Sequence, residues 1–166
     1  MTEAEVVVAK RDRGSRGWAP SAESAWRLVG GVGALFLAVG GLDLVLTWMP
    51  LGFGNPEWEF GTVTSMMDGL PVPTLGLVGI VGAARARGSR AAARAGAVML
   101  GSLALWVVLG AVLYATTLPI ALRAVTDPVI RSGLQKAVVK TAVQCVAYPI
   151  GLSWLAIAAW RRAERT

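Results

Sequence analysis

Asp43 and Asp68 are the acidic residues closest to the long apolar stretches of the sequence, which makes them the first candidates for chemistry. Asp43 lies seven residues before Pro50, so its carboxylate would sit about 10 Å below the end of a helix that stops there. At that depth in a membrane, an ionisable side chain can carry a proton, bind a cationic substrate or pair with a base. We favour a structural role, in which the carboxylate is held by Thr62, Thr64 or Arg123.

Paired aspartates in adjacent membrane helices are also the machinery of intramembrane aspartyl proteases, whose two carboxylates share a proton. The sequences around the aspartates, GGLD and MMDG, lack the second glycine beside the first aspartate and the tyrosine before the second. A third polar side chain in an apolar run, Gln144, is predicted to hydrogen-bond between helices. The sequence therefore predicts no catalytic residues, and we expect the protein not to be an enzyme.

Histidine is absent and Cys145 is the single cysteine, which removes the usual ligands of zinc, haem iron and iron–sulfur clusters. Disulfides and Ser-His-Asp triads are excluded for the same reason. We expect no metal site and no intrinsic cofactor, while bound lipid is expected and pigment only through neighbouring subunits. The net charge of +6 fits the cytoplasmic bias of Lys and Arg in membrane proteins, so no nucleic-acid partner is expected.

The elements that would position these residues are four apolar runs in a chain that is 55% apolar and has a mean hydropathy of +0.58. Each run is close to the ~20 residues that cross a hydrocarbon layer ~30 Å thick. The runs cover residues 28–49, 63–84, 95–118 and 141–160, with a polar arm at 1–27 and a basic C-terminus at 161–166. We therefore predict an all-α integral membrane protein whose four-helix transmembrane domain spans 28–160, with the first helix kept as a signal anchor.

The distribution of basic residues predicts the topology. With four crossings, twelve Lys and Arg residues lie on the side of both termini, and four lie on the other side, namely Arg123, Arg131, Lys136 and Lys140. Because such an excess marks the cytoplasmic side, we predict a multi-pass protein of the bacterial cytoplasmic (inner) membrane with both termini inside. Asp127 and Pro128 are typical of a helix start, which predicts an external extension of the fourth helix from 128.

The stretch NPEWEFGTVTSMMDGLPVP, residues 55–73, has the pattern of a capped helix followed by a bend. Asn55 and Pro56 favour a helix start, and acidic residues in the first turn suit the positive end of the helix dipole. The prolines at 71 and 73 predict a bend, so this segment is expected to form an outer interfacial helix kinked into helix 2. The predicted contacts to a partner or to lipid are Trp58, Glu57, Glu59, Arg123 and Arg131.

Small residues recur at four-residue steps in the apolar runs, a spacing that permits close approach of helices in lipid. Such approach is expected either within the bundle or against another subunit. The predicted packing residues are Gly30, Ala34, Gly79, Ala83, Gly101 and Gly151.

Residues 50–80 resemble the signature of HpsJ-like membrane proteins, which are associated with hormogonium polysaccharide and gliding in cyanobacteria. That signature has an NP-x-W-E run followed by V-P-L-x-G-L, and the matching positions here are Pro56, Trp58, Glu59, Val72, Pro73, Gly76 and Leu77. The similarity extends over about residues 40–125. It implies a non-enzymatic membrane component that works near a larger assembly, and it carries over no catalytic residue.

The expected function is that of a non-catalytic accessory or scaffold subunit of an inner-membrane complex, in contact with other integral membrane subunits and membrane lipids. The resemblance implies polysaccharide-secretion machinery, and a photosynthetic or respiratory complex is compatible with the same residues. The alternative is a small proton-coupled transporter that uses Asp43. A transporter would place this residue in a water-accessible cavity, whereas a scaffold would bury it in a hydrogen bond.

Overall fold

The computed structural model describes residues 22–124 and 128–164, which form five helices joined by short connections. The helices are α1 (Ala22–Thr47), α2 (Pro56–Gly69), α3 (Pro71–Ala86), α4 (Arg90–Ala124) and α5 (Pro128–Glu164). The two described ranges contain no β-strand. Residues 1–21 of the predicted polar arm, the predicted cap Asp127 and residues 165–166 lie outside the described ranges.

Four helical spans are long and apolar enough to cross a membrane, namely Ala22–Thr47, Pro56–Ala86, Arg90–Arg123 and Arg131–Arg161. The second span combines α2 and α3. These spans confirm the prediction of an all-α chain with four candidate transmembrane helices, and they indicate a multi-pass membrane protein. The cytoplasmic location of the termini remains a prediction.

Helices α2 and α3 meet at Leu70, which itself has helical backbone angles (φ −55°, ψ −33°). Its N–H donates to the carbonyl of Met66 at 3.1 Å, and its carbonyl accepts from the N–H of Thr74 at 3.2 Å. Pro71 and Pro73 have no N–H, so helical hydrogen bonding is interrupted between these two bonds. The bend at this point and the interfacial position of α2 remain predictions.

Helix α3 is central in the bundle, because it packs against α1 on one side and against α4 on the other. Helix α2 packs mainly against α4, and α5 also packs mainly against α4, whereas α1 packs against neither α4 nor α5. The core between α2, α3 and α4 contains wholly or almost wholly buried side chains: Val63, Met66, Met67, Leu70, Leu77, Leu100 and Val107. Helices α1 and α5 therefore flank the bundle.

A short turn between α3 and α4 holds several arginines at one end of the bundle. Gly88 adopts a left-handed backbone conformation (φ +68°), which glycine tolerates because it lacks a Cβ atom. The N–H groups of Gly88 and Ser89 donate to the carbonyls of Arg85 and Ala84, each at 2.9 Å, in a Schellman motif. We call this end the basic end; its described arginines are Arg27, Arg85, Arg87, Arg90, Arg94 and Arg161.

Helices α1 and α3 approach each other backbone to backbone. A Cβ atom on Gly33 would lie 2.8 Å from the carbonyl oxygen of Gly76, and one on Gly30 would lie 3.1 Å from the Cβ of Ala83. Gly40 meets the ring of Pro73 in the same way. Three of the predicted packing residues, Gly30, Gly79 and Ala83, thus lie in this contact, while Ala34 is exposed on another face of α1.

Candidate functional site: a charged cluster on the flank of the bundle

The strongest polar feature of the four spans is a cluster of three side chains from α2 and α5. The Nζ atom of Lys140 lies 2.7 Å from Oδ1 and 2.8 Å from Oδ2 of Asp68. The amide of Gln144, one helical turn further along α5, donates to Oδ1 of the same carboxylate at 3.2 Å. We call these three residues the charged cluster.

The two helices bring the cluster together because their sequences place the three residues at the same level of the bundle. Lys140 and Gln144 are four residues apart, so both point to one side of α5. Asp68 is near the end of α2, where α2 contacts α5. Two carboxylate oxygens can accept three donors, and the cluster therefore satisfies Asp68 without water.

The cluster lies along the spans at a distance from the basic end that is close to the thickness of a hydrocarbon layer. Asp68 precedes Arg85 by 17 residues and Lys140 precedes Trp160 by 20 residues. At ~1.5 Å per residue these separations are ~25 Å and ~30 Å along the helix axes. A hydrocarbon layer ~30 Å thick that began at Arg85 and Trp160 would include Asp68 in its far part and would end at about the level of Lys140.

The cluster lies on the outer flank of the described bundle and is only partly enclosed. The side chain of Lys140 is 57% exposed and that of Asp68 is 45% exposed. The amide oxygen of Gln144 is buried, yet it accepts no hydrogen bond within the described part of the chain. Ionisable side chains inside a membrane normally face the protein interior or an aqueous cavity, and this arrangement departs from that rule.

The Asp43 carboxylate is arranged differently from Asp68. It lies against the backbone of α2, where a Cβ atom on Gly69 would be 3.0 Å from its Oδ2. The side chain is exposed, and the described residues provide it with no hydrogen bond or ion pair. The expected pairings are not formed: Thr64 donates instead to the carbonyl of Phe60 at 2.8 Å. The Asp43 side chain therefore has no hydrogen bond among the described residues, and it does not line the apolar cleft between α1 and α4 that is described below.

The start of α2 is capped as its sequence predicts. Asn55 accepts hydrogen bonds from the N–H groups of Glu57 and Trp58 at 3.0 and 3.4 Å. Glu59 accepts from the N–H of Gly54 at 2.8 Å and is only 8% exposed. Glu59 thus holds the preceding loop in place, whereas Glu57 is exposed and open to a partner.

An aromatic cluster covers the same end of the molecule. The ring centroids of Trp48 lie 5.9 Å from Phe53, 5.9 Å from Trp58 and 5.3 Å from Trp106, mostly in edge-to-face arrangements. Such pairs add about 0.5–1.5 kcal/mol each beyond the area that they bury. Trp106 contributes from the middle of α4, and the end that carries these four rings is called the aromatic end.

At the basic end, arginines connect α3 and α4 to the flanking helices. Arg85 donates to the carbonyl of Ala158 at 2.8 Å, and the Arg94 guanidinium lies 5.8 Å from the ring centroid of Trp160. Arg27 pairs with Glu23 within α1 at 2.6 Å. These arginines therefore have structural contacts as well as the charge that the topology prediction uses.

The remaining predicted residues belong to neither the charged cluster nor the aromatic cluster. Arg123 and Arg131 are exposed. Gly101 and Gly151 have open space where a Cβ atom would lie, so neither takes part in a close helix contact in this chain.

Lys140 is the site residue that the sequence analysis did not predict. Its spacing of four residues from Gln144, which places both side chains on one face of a helix, was the available signal.

Comparison with protein-family models, with curated proteins and with solved structures finds no match.

Proposed function

We propose that the protein is a non-catalytic accessory or scaffold subunit of a larger membrane complex and acts by packing its helices against partner subunits and lipid. The observation that carries this proposal is the half-exposed charged cluster on the flank of the bundle. A charged pair that faces lipid loses hydration without gaining a protein environment, which costs free energy. A partner helix with polar side chains at this level would remove that cost.

The same side of α5 offers a partner a place for close packing. Gly151 lies seven residues after Gln144 and eleven after Lys140, spacings that keep all three on one stripe of the helix. A Cβ atom at Gly151 would meet nothing within 4 Å, so the groove beside it is open. A small side chain from a neighbouring helix fits there, and polar groups of that helix can reach the exposed ammonium group of Lys140.

The identity of the complex is proposed from the resemblance alone. HpsJ-like proteins are associated with polysaccharide secretion, so the bacterial inner-membrane machinery for that process is our first choice. A photosynthetic or respiratory assembly is compatible with the same residues. In either case pigment or other cofactors would belong to neighbouring subunits.

The test is affinity purification of the full chain from its native membrane in mild detergent, with light-scattering mass measurement and identification of co-purifying subunits. We expect a particle well above the 17.3 kDa of the chain itself after subtraction of detergent. The variant Gly151→Leu should lose the partner by at least tenfold, because its side chain fills the open groove on α5.

The matched control is Gly31→Leu on α1, where a Cβ atom also meets nothing within 4 Å. This variant should retain the partner at the level of the unmodified protein. A chain that runs alone as a monomer would refute the accessory-subunit proposal. Equal loss in both variants would show that the α5 stripe is not the contact.

A proton-coupled transporter remains the second candidate, because the Asp43 carboxylate has no hydrogen-bond partner among the described residues and is exposed. An acid in that state is free to bind a proton or a cation. Reconstitution in liposomes and measurement of substrate-dependent proton flux test this candidate, with Asp43→Asn expected to abolish the flux. Absence of flux with the unmodified protein would eliminate the transporter.

A further inference from the structure

A cleft opens between α1 and α4, the two helices that flank α3 without packing on each other. Pro73 and Leu77 of α3 form its floor. One wall comes from α1 and the other from α4, and Trp48 and Trp106 of the aromatic cluster line its far end. The cleft exists because the glycine contact draws α1 onto α3, at a distance from α4.

The lining of the cleft is almost entirely apolar. Its volume is about 530 Å³, within the ~300–1,000 Å³ that small-molecule sites occupy. Ser102 supplies the one hydroxyl among the lining side chains. Water needs two to four polar partners to fill such a space, and the lining does not provide them. An empty cleft would forfeit dispersion contacts along both walls, so an apolar occupant is favoured.

The dimensions of the cleft favour a hydrocarbon chain over a helix. On α1 the lining runs from Leu37 to Val45, which is ~12 Å at ~1.5 Å per residue, and the loop that follows extends it through Trp48 to Leu51. An extended hydrocarbon chain is narrower than a helix, which is ~10–12 Å across with its side chains, so the chain is the occupant that we favour.

The length and position of the cleft match one leaflet of a bilayer. Half of a hydrocarbon layer ~30 Å thick is ~15 Å, close to the ~12 Å of lined α1 together with the loop residues that follow it. The cleft reaches Trp48, just after the end of α1, and tryptophan is enriched where acyl chains give way to headgroups. An acyl chain would therefore enter from the leaflet at the aromatic end and run toward the middle of the bilayer.

We propose that this cleft is a binding site for one acyl chain of a membrane phospholipid from the leaflet at the aromatic end. The chain takes the place of a direct α1–α4 contact. It packs against Leu37 and Leu44 on one side and against Met99 and Leu103 on the other. This site is independent of the charged cluster and does not require a partner subunit.

Gly41 provides a direct test, because it lines the cleft and a Cβ atom there meets nothing within 4 Å. The side chain of Gly41→Leu would extend from this open position into the cleft, and Gly31→Leu is the matched control on the same helix, outside the lining. The full chain is purified in mild detergent, delipidated, incubated with dioleoylphosphatidylcholine and examined by native mass spectrometry. Helix content is checked by circular dichroism.

The unmodified protein and Gly31→Leu should each retain one phospholipid, and Gly41→Leu should retain at least tenfold less. Glycerophosphocholine, which has the headgroup but no acyl chain, should not bind to any of the three. If Gly41→Leu fails to fold, Ser102→Leu blocks the cleft from α4 and carries the same expectation.

Equal phospholipid retention in the cleft-filling variant and the control overturns the proposal, as does an unmodified protein that retains none. A change in oligomeric mass on Gly41→Leu without a change in lipid retention would assign the cleft to a second copy of the chain, and would also overturn it.

Discussion

Helices α1 and α5 both flank the bundle, and only 11% of the most apolar window of each is buried, yet they are attached by different means. α1 is held by close backbone contact, in which Gly33 meets Gly76 and Gly40 meets Pro73. α5 is held by side chains, including the Lys140–Asp68 pair and the hydrogen bond from Arg85 to its backbone.

The comparison shows that a small residue brings two helices together only where the facing helix presents backbone or a side chain at the same level that fills the space. In lipid no hydrophobic effect draws helices together, so close packing and hydrogen bonds must do so. Gly33 meets Gly76 and Gly79, and the α1–α3 contact closes. Gly151 has no such counterpart, so its side of α5 remains available to another chain.

The largest effect on the free energy of unfolding is expected from Gly76→Ala, which disrupts the α1–α3 contact. The added Cβ atom would lie 2.5 Å from the backbone nitrogen of Leu37 and 2.6 Å from the carbonyl oxygen of Gly33, and neither backbone atom can move freely. We expect a loss of about 3 kcal/mol or more in the free energy of unfolding, at or above the usual range for overpacking. Denaturant titration in detergent, followed by circular dichroism, measures it.

Gly101→Ala is the control for this prediction, since it makes the same substitution at a glycine with open space. Its expected effect is between zero and a gain of about 1 kcal/mol, the helix-propensity difference between the two residues. Similar losses in the two variants would show that α1 is not held by backbone contact with α3.

An intermediate effect is expected at the charged cluster that attaches α5. A double-mutant cycle with Asp68→Asn and Lys140→Met should give a coupling energy of about 0.6 kcal/mol, the average measured for polar contacts between membrane helices, and at most about 1.7 kcal/mol. The pair is half exposed, which keeps the value low. The same cycle with Lys136→Met, an exposed residue one turn away on α5, should give no coupling. A coupling energy of zero for Lys140 as well would show that the Lys140–Asp68 pair does not help to hold α5 on the bundle.

A smaller effect is expected from Arg94→Gln at the basic end. The guanidinium lies 5.8 Å from the Trp160 ring centroid, and cation–π contacts at exposed sites contribute about 0.5–1 kcal/mol. Arg90→Gln removes an equal charge from an exposed position that lacks such a contact among the described residues, and it should leave the unfolding free energy unchanged. Equal effects of the two substitutions would attribute the loss to net charge.

The smallest effect on stability is expected from Gly151→Leu, because its side chain would enter open space. The unfolding free energy of the isolated chain should stay within about 0.5 kcal/mol of the unmodified value, as for other surface substitutions. A large loss would mean that this side of α5 packs within the bundle, and that partner loss in this variant does not report on a partner contact.

Several features of the fold are predictable from the sequence because they depend on neighbours along the chain. Asn55, Pro56 and the acidic first turn specify the start of α2, and the structure shows the expected cap. Apolar length identifies the four spans. The pairing of small residues was predicted only in part: Gly30, Gly79 and Ala83 lie in a contact, but Gly33 and Gly40, not Ala34, complete the face of α1.

Which side chain pairs with an acidic residue depends on the rotation and axial register of the two helices that carry them. The apolar pattern of the sequence specifies both only loosely. The sequence predicts that Asp43 and Asp68 both lie near hydrocarbon, but it does not predict which of the two forms an ion pair. In the structure, α5 passes beside α2 so that Lys140 and Gln144 reach Asp68, while Asp43 faces the backbone at Gly69. Thr62, Thr64 and Arg123 were reasonable partners by sequence position, yet none reaches Asp43.

The sequence by itself determined the all-α character, the number of candidate spans and the start of α2, because hydrophobic length and capping act within a few residues of one another. Only the tertiary structure decided which acid is paired, which glycines touch and where the cleft opens. Those outcomes depend on contacts between residues 30 to 80 positions apart, such as Gly33 with Gly76 and Asp68 with Lys140. They are determined when the four spans pack at the distances that their side chains permit.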